Sequence, residues 1–319
     1  MNGPGKEILE KYQVRKTRAQ KTDFIEFATK RLGEMGYGCR IESGSFKARN
    51  IVVGDVSRAK VVFTAHYDTC PRLLIPNFIT PKRLSIYLLY QLLLTLGMLF
   101  IVGIASFLLG LCASLLSLDE GAAFGLCYFG SLLVLALLMY MLLFGPANKH
   151  TVNDNTSGVI CLFEIMKRLP EQLRGEAAFI FFDLEEVGLV GSSSFAKKHK
   201  REMKDKLLIN FDCISDGDNF LFALRKGAVG FKEIIERAYQ PTRGEGRAEV
   251  LSRGVFYPSD QMAFPLGVGA CALRSTKKGL LFMNRIHTDR DTIYREENIA
   301  YFADGSVRLT EMIFDKDNS

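Results

Sequence analysis

Histidines and acidic residues stand directly after several short apolar segments of this chain. Two adjacent carboxylates, Glu185 and Glu186, follow one such segment, where they would lose hydration and repel each other unless positive charge lay beside them. One histidine or acid alone is ordinary, but repetition along the chain favours binding of a pair of divalent cations. The residues concerned are His66, Asp68, Asp154, Glu185, Glu186, Asp212 and His287.

Cysteine usage separates this pattern from a structural zinc knot. The chain has seven cysteines, an odd and widely scattered set without a Cys-x-x-Cys pair. No cysteine occupies a predicted ligand position, whereas structural zinc sites are rich in thiolates. We therefore expect a reducing compartment and a metal site built from nitrogen and oxygen donors.

The elements that must position these residues alternate between strands and helices, which predicts an α/β fold. Runs such as VVFTAH and AAFIFFD are apolar without alternation, as expected of central strands covered on both faces. In such sheets, functional groups collect beyond the carboxyl ends of strands. The predicted strands are Asn50–Gly54, Val61–Ala65, Ala177–Phe182, Leu207–Phe211, Phe220–Leu224 and Gly267–Leu273, and the predicted helices are Asp23–Met35, Ser157–Leu169, Phe195–Lys204, Phe231–Tyr239 and Asn298–Phe314.

A long charge-free block interrupts the α/β pattern. No charged residue occurs from Leu84 to Leu118 or from Gly121 to Asn148, and only Asp119 and Glu120 separate the two runs. A bilayer core about 30 Å thick needs about 20 helical residues, and buried helices of soluble proteins seldom have so long an apolar run. We expect a transmembrane hairpin at 84–144, inserted into one discontinuous domain formed by residues 1–83 and 145–319.

Basic residues predict the orientation of the hairpin. They flank it on both sides and are absent from its link, so the flanks should face the cytoplasm and the link the outside. A lipid bilayer is thus an expected partner. The net charge of +6 is dispersed among acids, and no nucleic-acid partner is expected. The flanking residues are Arg72, Lys82, Arg83, Lys149, Lys167 and Arg168; the densest basic cluster, expected near anionic lipid, is Arg15, Lys16, Arg18 and Lys21.

The motifs HYD, NDNTSG, FFDLEEVGLVGSSSF, FDCISDGD, SDQMAF and HTDRDT follow one another in an order that resembles a known family. It is that of the dizinc metallopeptidases, which include aminopeptidase Y, bacterial leucyl aminopeptidase and glutamate carboxypeptidase. The resemblance extends over roughly residues 45–315, and its most specific part is the EExGLxGS stretch. It implies a single three-layer domain in which helices flank a central, mostly parallel mixed sheet.

The resemblance also implies roles for the residues. Two zinc ions per chain would be bound, one by His66 and Asp212, the other by Glu186 and His287, with Asp154 bridging both. Asp68 would hydrogen-bond His66 and fix its tautomer. Glu185 would be the general base, taking a proton from the water between the metals and delivering it to the leaving amine.

The implied activity is an aminopeptidase that removes N-terminal residues from short peptides at the inner face of a membrane. Two alternatives stay open. A glutaminyl cyclase-like aminoacyltransferase also has the FFD-x-EE pattern and needs one zinc, and a catalytically silent membrane scaffold would share the fold but usually lacks metal ligands. Substrate side-chain preference and oligomeric state do not follow from these residues.

Three other polar residues are expected to lie outside the metal set. Gln261 occupies a position where relatives carry histidine in an SDH motif, and we expect it to affect substrate contacts. His199 lies in the basic run KKHKR, which predicts a solvated helix face, and His150 is a polar residue beside the hairpin. Neither histidine is a candidate ligand.

Overall fold

The computed structural model describes residues 3–240 and 247–318. The chain divides into two compact units, one formed by Met1–Arg83 and Ala147–Ser319 and the other by Leu84–Pro146. The first unit contains the α/β elements, and the second contains the two apolar helices.

A mixed nine-stranded sheet forms the centre of the first unit, in the order β1-β2-β4-β3-β5-β8-β6-β7, with β9 paired to β8. The neighbours β4, β3, β5 and β8 run parallel, so their carboxyl ends meet at one edge. The strands are β1 (Cys39–Ser43), β2 (Arg49–Val53), β3 (Val61–His66), β4 (Ala177–Phe182), β5 (Leu207–Phe211), β6 (Asn219–Leu224), β7 (Arg247–Leu251), β8 (Gly267–Ser275) and β9 (Leu281–Phe282).

Helices cover both faces of this sheet. Along β4, Phe179 and Phe181 belong to the larger hydrophobic cluster shared with α5 and α8, whereas Ile180 and Phe182 belong to a second cluster shared with Phe195 of α6. The predicted three-layer α/β fold is therefore confirmed. The helices of this unit are α1 (Pro4–Lys11), α2 (Arg18–Glu34), α5 (Ser157–Arg168), α6 (Val190–Lys198), α7 (Lys232–Ala238) and α8 (Glu296–Asn318).

The elements that the sequence did not predict are polar ones at the margins of the fold. The edge strand β1 has the sequence CRIES, and four of its five residues are at least partly exposed, so it lacks the continuous apolar run that marks the central strands. The other edge strand, β7, has the similarly polar sequence RAEVL. Helix α1 is eight residues long and rich in charge.

Helix α6 begins at Val190, five residues earlier than predicted, and ends at Lys198. Gly191 explains this early start. A Cβ atom at position 191 would lie 2.0 Å from the carbonyl oxygen of Asp183, so only glycine lets the helix begin this close to the end of β4. The segment between them holds Glu185 and Glu186.

The second unit consists of α3 (Leu84–Leu115) and α4 (Glu120–Phe144). Both helices are long and apolar enough to cross a membrane, and neither is buried within the protein along its most apolar stretch. The 32 residues of α3 correspond to about 48 Å at 1.5 Å per residue, which exceeds the thickness of a bilayer core. Asp119 caps α4 by accepting a hydrogen bond from the Ala122 amide, at 3.0 Å.

Helices α3 and α4 approach each other closely at Gly130. A Cβ atom at Gly130 would lie 2.4 Å from Cδ1 of Leu109, whereas one at Gly103 would meet nothing within 4 Å. At Gly110 the nearest atom would be the Cys127 sulfur, at an ordinary contact distance of 3.8 Å.

Candidate metal centre

Loops at the carboxyl edge of the parallel strands bring the sequence-predicted site residues together. His66 is the last residue of β3, Asp212 follows β5, and Glu186 lies in the loop after β4. Asp154 lies in a short turn, Val152–Thr156, that leads into α5. His287 follows β9 and adopts a left-handed backbone conformation, with φ 63°.

Asp154 lies between the two histidines and presents one oxygen to each. Nε2 of His66 is 3.3 Å from Oδ1 of Asp154, and Nε2 of His287 is 3.0 Å from Oδ2. Each imidazole also faces a carboxylate of its own: His66 is 3.7 Å from Oδ1 of Asp212, and His287 is 3.4 Å from Oε2 of Glu186. The arrangement is two adjacent donor sets that share one carboxylate.

The Asp154 turn is joined to the end of β5 through the neighbouring residue Asn155. Asn155 donates a hydrogen bond to the carbonyl of Phe211 at 2.9 Å and accepts one from the Gly158 amide at 3.1 Å, in the first turn of α5. A Cβ atom at Gly158 would lie 2.4 Å from the Phe211 carbonyl, so glycine permits α5 to start against the end of β5. The Asp154 and Asp212 segments are thereby fixed to each other.

Glu185 lies beside the donor set that contains His66 and Asp212. Its carboxylate, a nitrogen of His66 and an oxygen of Asp212 all fall within 4.8 Å of one another. Glu185 remains partly exposed, so solvent or a substrate can reach it. Its position suits proton transfer at the site.

Asp68 supports the site in a way that the sequence did not reveal. Its backbone carbonyl lies 3.1 Å from Nδ1 of His66, whereas its carboxylate is 3.6 Å from that nitrogen. The carboxylate instead accepts hydrogen bonds from two consecutive backbone amides, that of Glu185 at 3.0 Å and that of Glu186 at 3.2 Å. Asp68 therefore touches His66 through its main chain and positions the Glu185–Glu186 loop through its side chain.

Asp291 is a buried carboxylate of the site that sequence reasoning missed. Oδ1 accepts a hydrogen bond from the Asn153 amide at 2.7 Å, and Oδ2 accepts one from the Asp154 amide at 3.0 Å. Burial, together with the nearby Asp154 carboxylate, raises the pKa of Asp291 to about 8 despite these two bonds. Its motif, HTDRDT, marked the region, but no sequence signal distinguishes it from an exposed acid.

Arg15 and Lys21 were expected near lipid, and this expectation is wrong. The Arg15 guanidinium is fully buried, donates hydrogen bonds to the carbonyl of Tyr67 and to Oγ1 of Thr156, and so ties the His66 and Asp154 segments together. Burial lowers the pKa of Arg15 to about 10, an effect that Asp68 and Asp154 partly offset. Lys21 forms a buried ion pair of 2.7 Å with Asp183.

His199 and Gln261 also differ from the sequence expectation. The His199 side chain is only 11% exposed: it stacks on Phe195 and lies 2.8 Å from Oε2 of Glu42, so it is not on a solvated face. Gln261 is buried, donates to the carbonyl of Tyr257 at 2.6 Å and accepts from Asn210 at 3.1 Å. These bonds occupy its amide within the protein, which does not support the expected role in substrate contact.

The charges of the site fit metal cations. Within the described part of the chain, the buried oxygen Oε1 of Glu186 has no hydrogen-bond partner, and neither does either carboxylate oxygen of buried Asp260. Burial and neighbouring carboxylates raise the pKa of Glu185 and of Glu186 well above the usual range, and that of Asp260 to about 7. Such concentrated negative charge, with imidazole and carboxylate donors turned inward, is what divalent cations would neutralise.

Comparison with known proteins gives one matching family. The model of peptidase family M28 matches residues 141–304, which include Asp154, Glu185, Glu186, Asp212 and His287. His66 and Asp68 lie upstream of the match, on the other side of the inserted helices. No curated protein sequence matches the chain.

Solved structures share the fold at low sequence identity. A Zn-dependent exopeptidase from Parabacteroides distasonis has a TM-score of 0.58 at 14% identity, with 97% of this chain and 98% of that chain covered. LapA aminopeptidase from Legionella pneumophila gives 0.57 at 12%, covering 96% and 68%. Glutaminyl cyclase from Porphyromonas gingivalis gives 0.55 at 14%, covering 97% of each. With the family model spanning just over half of the sequence, the chain belongs to peptidase family M28.

Proposed function

We propose that this chain is a zinc-dependent exopeptidase of the aminopeptidase type, which hydrolyses N-terminal residues of short peptides. One observation carries the proposal: Asp154 lies between His66 and His287, with one oxygen toward each and a further carboxylate beside each imidazole. A cluster of buried structural acids would not need two inward-facing histidines around one carboxylate. Two metal ions that share Asp154 as a ligand would need both histidines.

In this proposal His66, Asp154 and Asp212 would hold one zinc ion, and Asp154, Glu186 and His287 would hold the other. When bound, such a pair polarises the scissile carbonyl and lowers the pKa of water. Glu185 accepts a proton from the attacking water and transfers it to the leaving amine, the role its partly exposed position beside His66 and Asp212 supports. Asp68 positions the Glu185–Glu186 loop, and Arg15 ties the Asp154 turn to the segment that follows β3.

The membrane is the second part of the proposal. Helices α3 and α4 expose an almost continuous apolar surface, far beyond the few hundred Å² that a soluble monomer tolerates. We place them in the bilayer, with the α/β unit on the cytoplasmic side because basic residues flank both ends and the link has none. Peptides at the inner membrane face are then the substrates.

Glutaminyl cyclase activity is the competing candidate, because solved glutaminyl cyclases share the fold over nearly the whole chain. The two activities differ in product. A peptidase releases a free amino acid from an aminoacyl amide or peptide, whereas a cyclase converts an N-terminal glutamine to a ring and releases ammonia. A catalytically silent scaffold would do neither and is disfavoured because both donor sets and Glu185 are present.

The experiment combines metal analysis of the purified protein with a panel of aminoacyl amides, short peptides and glutaminyl peptides. We expect zinc and amino-acid release. Glu185→Gln should keep the metal but lower turnover by about 10²–10⁴-fold, as loss of a general base does, while Glu171→Gln, an exposed glutamate away from the site, serves as the matched control. Ammonia release from glutaminyl peptides alone would replace the peptidase assignment, and absence of bound zinc would refute it.

A further inference from the structure

Cys70 lies at the edge of the candidate metal centre, although sequence reasoning assigned no cysteine to it. It follows His66 by four residues, at the end of the segment that leaves β3. Its sulfur, a nitrogen of His287 and a carboxylate oxygen of Glu186 all fall within 4.8 Å of one another. The side chain is fully buried.

The surroundings of Cys70 are those of a ligand more than those of a packing residue. Cys161, also fully buried, belongs to the main hydrophobic cluster, whereas Cys70 belongs to neither cluster. The Asn148 amide nitrogen points toward the Cys70 sulfur at 3.9 Å. The Glu186 carboxylate also lies nearby, and its buried Oε1 has no hydrogen-bond partner within the described residues.

We propose that Cys70 is a thiolate ligand of the zinc ion held by Asp154, Glu186 and His287. The inference deepens the proposed function and rests on it. On binding, the S–H bond of Cys70 is replaced by a sulfur–zinc bond and the proton is released to solvent, with no change of oxidation state. The donor set then consists of one imidazole nitrogen, two carboxylate oxygens and one sulfur.

This donor set makes the two zinc positions chemically different. With Cys70 included, this position would have four protein donors, one more than the position at His66, Asp154 and Asp212. The ion beside Cys70 should be the more tightly held of the two. A soft sulfur ligand also favours zinc over manganese or magnesium at that position.

X-ray absorption spectroscopy of the zinc-loaded full chain is the direct test. A sulfur ligand gives a scattering shell at about 2.3 Å, separate from nitrogen and oxygen at about 2.0–2.2 Å. The shell should be present in the parent protein and absent from Cys70→Ser. The matched control is Cys213→Ser, because Cys213 is the other buried thiol beside the centre, with its sulfur 3.1 Å from Oδ1 of Asp212. Cys213→Ser should keep the shell.

Cobalt substitution gives a second readout, a sulfur-to-cobalt charge-transfer band that Cys70→Ser should lose. Removal of groups around a metal typically costs about 10–100-fold in affinity, and we expect the tighter zinc affinity to fall by at least that much. A zinc-loaded parent without a sulfur shell overturns the assignment while leaving the peptidase proposal intact. Loss of the shell in Cys213→Ser and not in Cys70→Ser overturns it as well. A protein that binds no zinc refutes both proposals. Because the parent spectrum decides the question, a variant that fails to fold does not obscure it.

Discussion

Replacing Asp68 by asparagine should uncouple the Glu185–Glu186 loop from the metal centre. The Asp68 carboxylate accepts one backbone amide with each oxygen, at 3.0 and 3.2 Å. Asparagine keeps the shape but offers one oxygen and one NH₂ group, so one of the two amides would face a donor instead of an acceptor. Because Asp68 is buried, water cannot replace the lost partner.

The magnitude follows from these two bonds. A hydrogen bond to a charged group contributes about 1.5–3 kcal/mol, and the remaining bond to a neutral amide oxygen is weaker by roughly 0.5–1 kcal/mol. The free energy of unfolding should therefore fall by about 2–4 kcal/mol, which lowers the melting temperature by roughly 4–16 °C for a unit of this size. Misplacement of Glu185 should in addition reduce turnover by about 10–100-fold, as is usual for residues that orient a metal site.

The assay is thermal unfolding in detergent together with turnover and zinc content. Asp289→Asn is the matched control, because Asp289 follows His287 by two residues just as Asp68 follows His66. Its side chain is half exposed and pairs with exposed Arg72 at 2.6 Å, so its replacement should leave the melting temperature, turnover and zinc content unchanged. If Asp68→Asn and Asp289→Asn behave alike, the Asp68 carboxylate does not position the loop.

Three further predictions test other parts of the molecule. Lys21→Met should destabilise the protein by about 3–5 kcal/mol, because it leaves Asp183 buried without its cation, and Lys21→Met/Asp183→Asn should recover much of the loss. Burial and the nearby Asp68 raise the pKa of Asp183. In folded Lys21→Met, Asp183 should therefore bind a proton at a higher pH than in the unfolded chain, so the loss of stability should grow as pH rises from about 4. A loss of stability that does not depend on pH would contradict this. Glu42→Gln should lower the free energy of unfolding by about 1–3 kcal/mol at neutral pH. Burial alone would raise the pKa of Glu42, but Lys198, His199 and Arg40 lower it to about 2. The stability that the Glu42 carboxylate contributes should therefore disappear from unfolding curves as pH falls from about 4.5 toward 2. For topology, an impermeant thiol reagent on intact cells should label Glu120→Cys but not Lys200→Cys, and the reverse pattern would invert the proposed orientation.

The sequence was sufficient where one local property decides the structure. The central strands β3, β4 and β5 are almost entirely apolar, and the two apolar helices carry no charge except Glu120 in the first turn of α4, so composition alone located them. The edge strands β1 and β7 carry charged side chains and gave no such signal. Their pairing depends on a neighbouring strand and not on their own pattern.

The candidate site shows the same division. The five donors were recognisable because each histidine or acid stands at the end of a strand or in a distinctive motif, and the structure brings them together. The contacts of Asp291 and Arg15, like the proposed role of Cys70, depend on partners far along the chain: Arg15 contacts Thr156, 141 residues away, and Asp291 contacts Asp154, 137 residues away. No local pattern predicts such contacts, and a lone arginine or cysteine is usually a surface or packing residue.

The inserted helices divide the donors of the metal centre between two parts of the chain. His66 and Cys70 precede the insertion, and Asp154, Glu186, Asp212 and His287 follow it. At about 5–20 residues per second, the ribosome needs roughly 4–18 s to reach Asp154 after His66. During that interval both apolar helices emerge and can enter the bilayer, while neither His66 nor Cys70 yet has the downstream donors with which it would bind its zinc ion. If these residues bind zinc as proposed, zinc loading would be a late event in biogenesis, and a nascent chain stalled within the hairpin should bind no zinc at this centre.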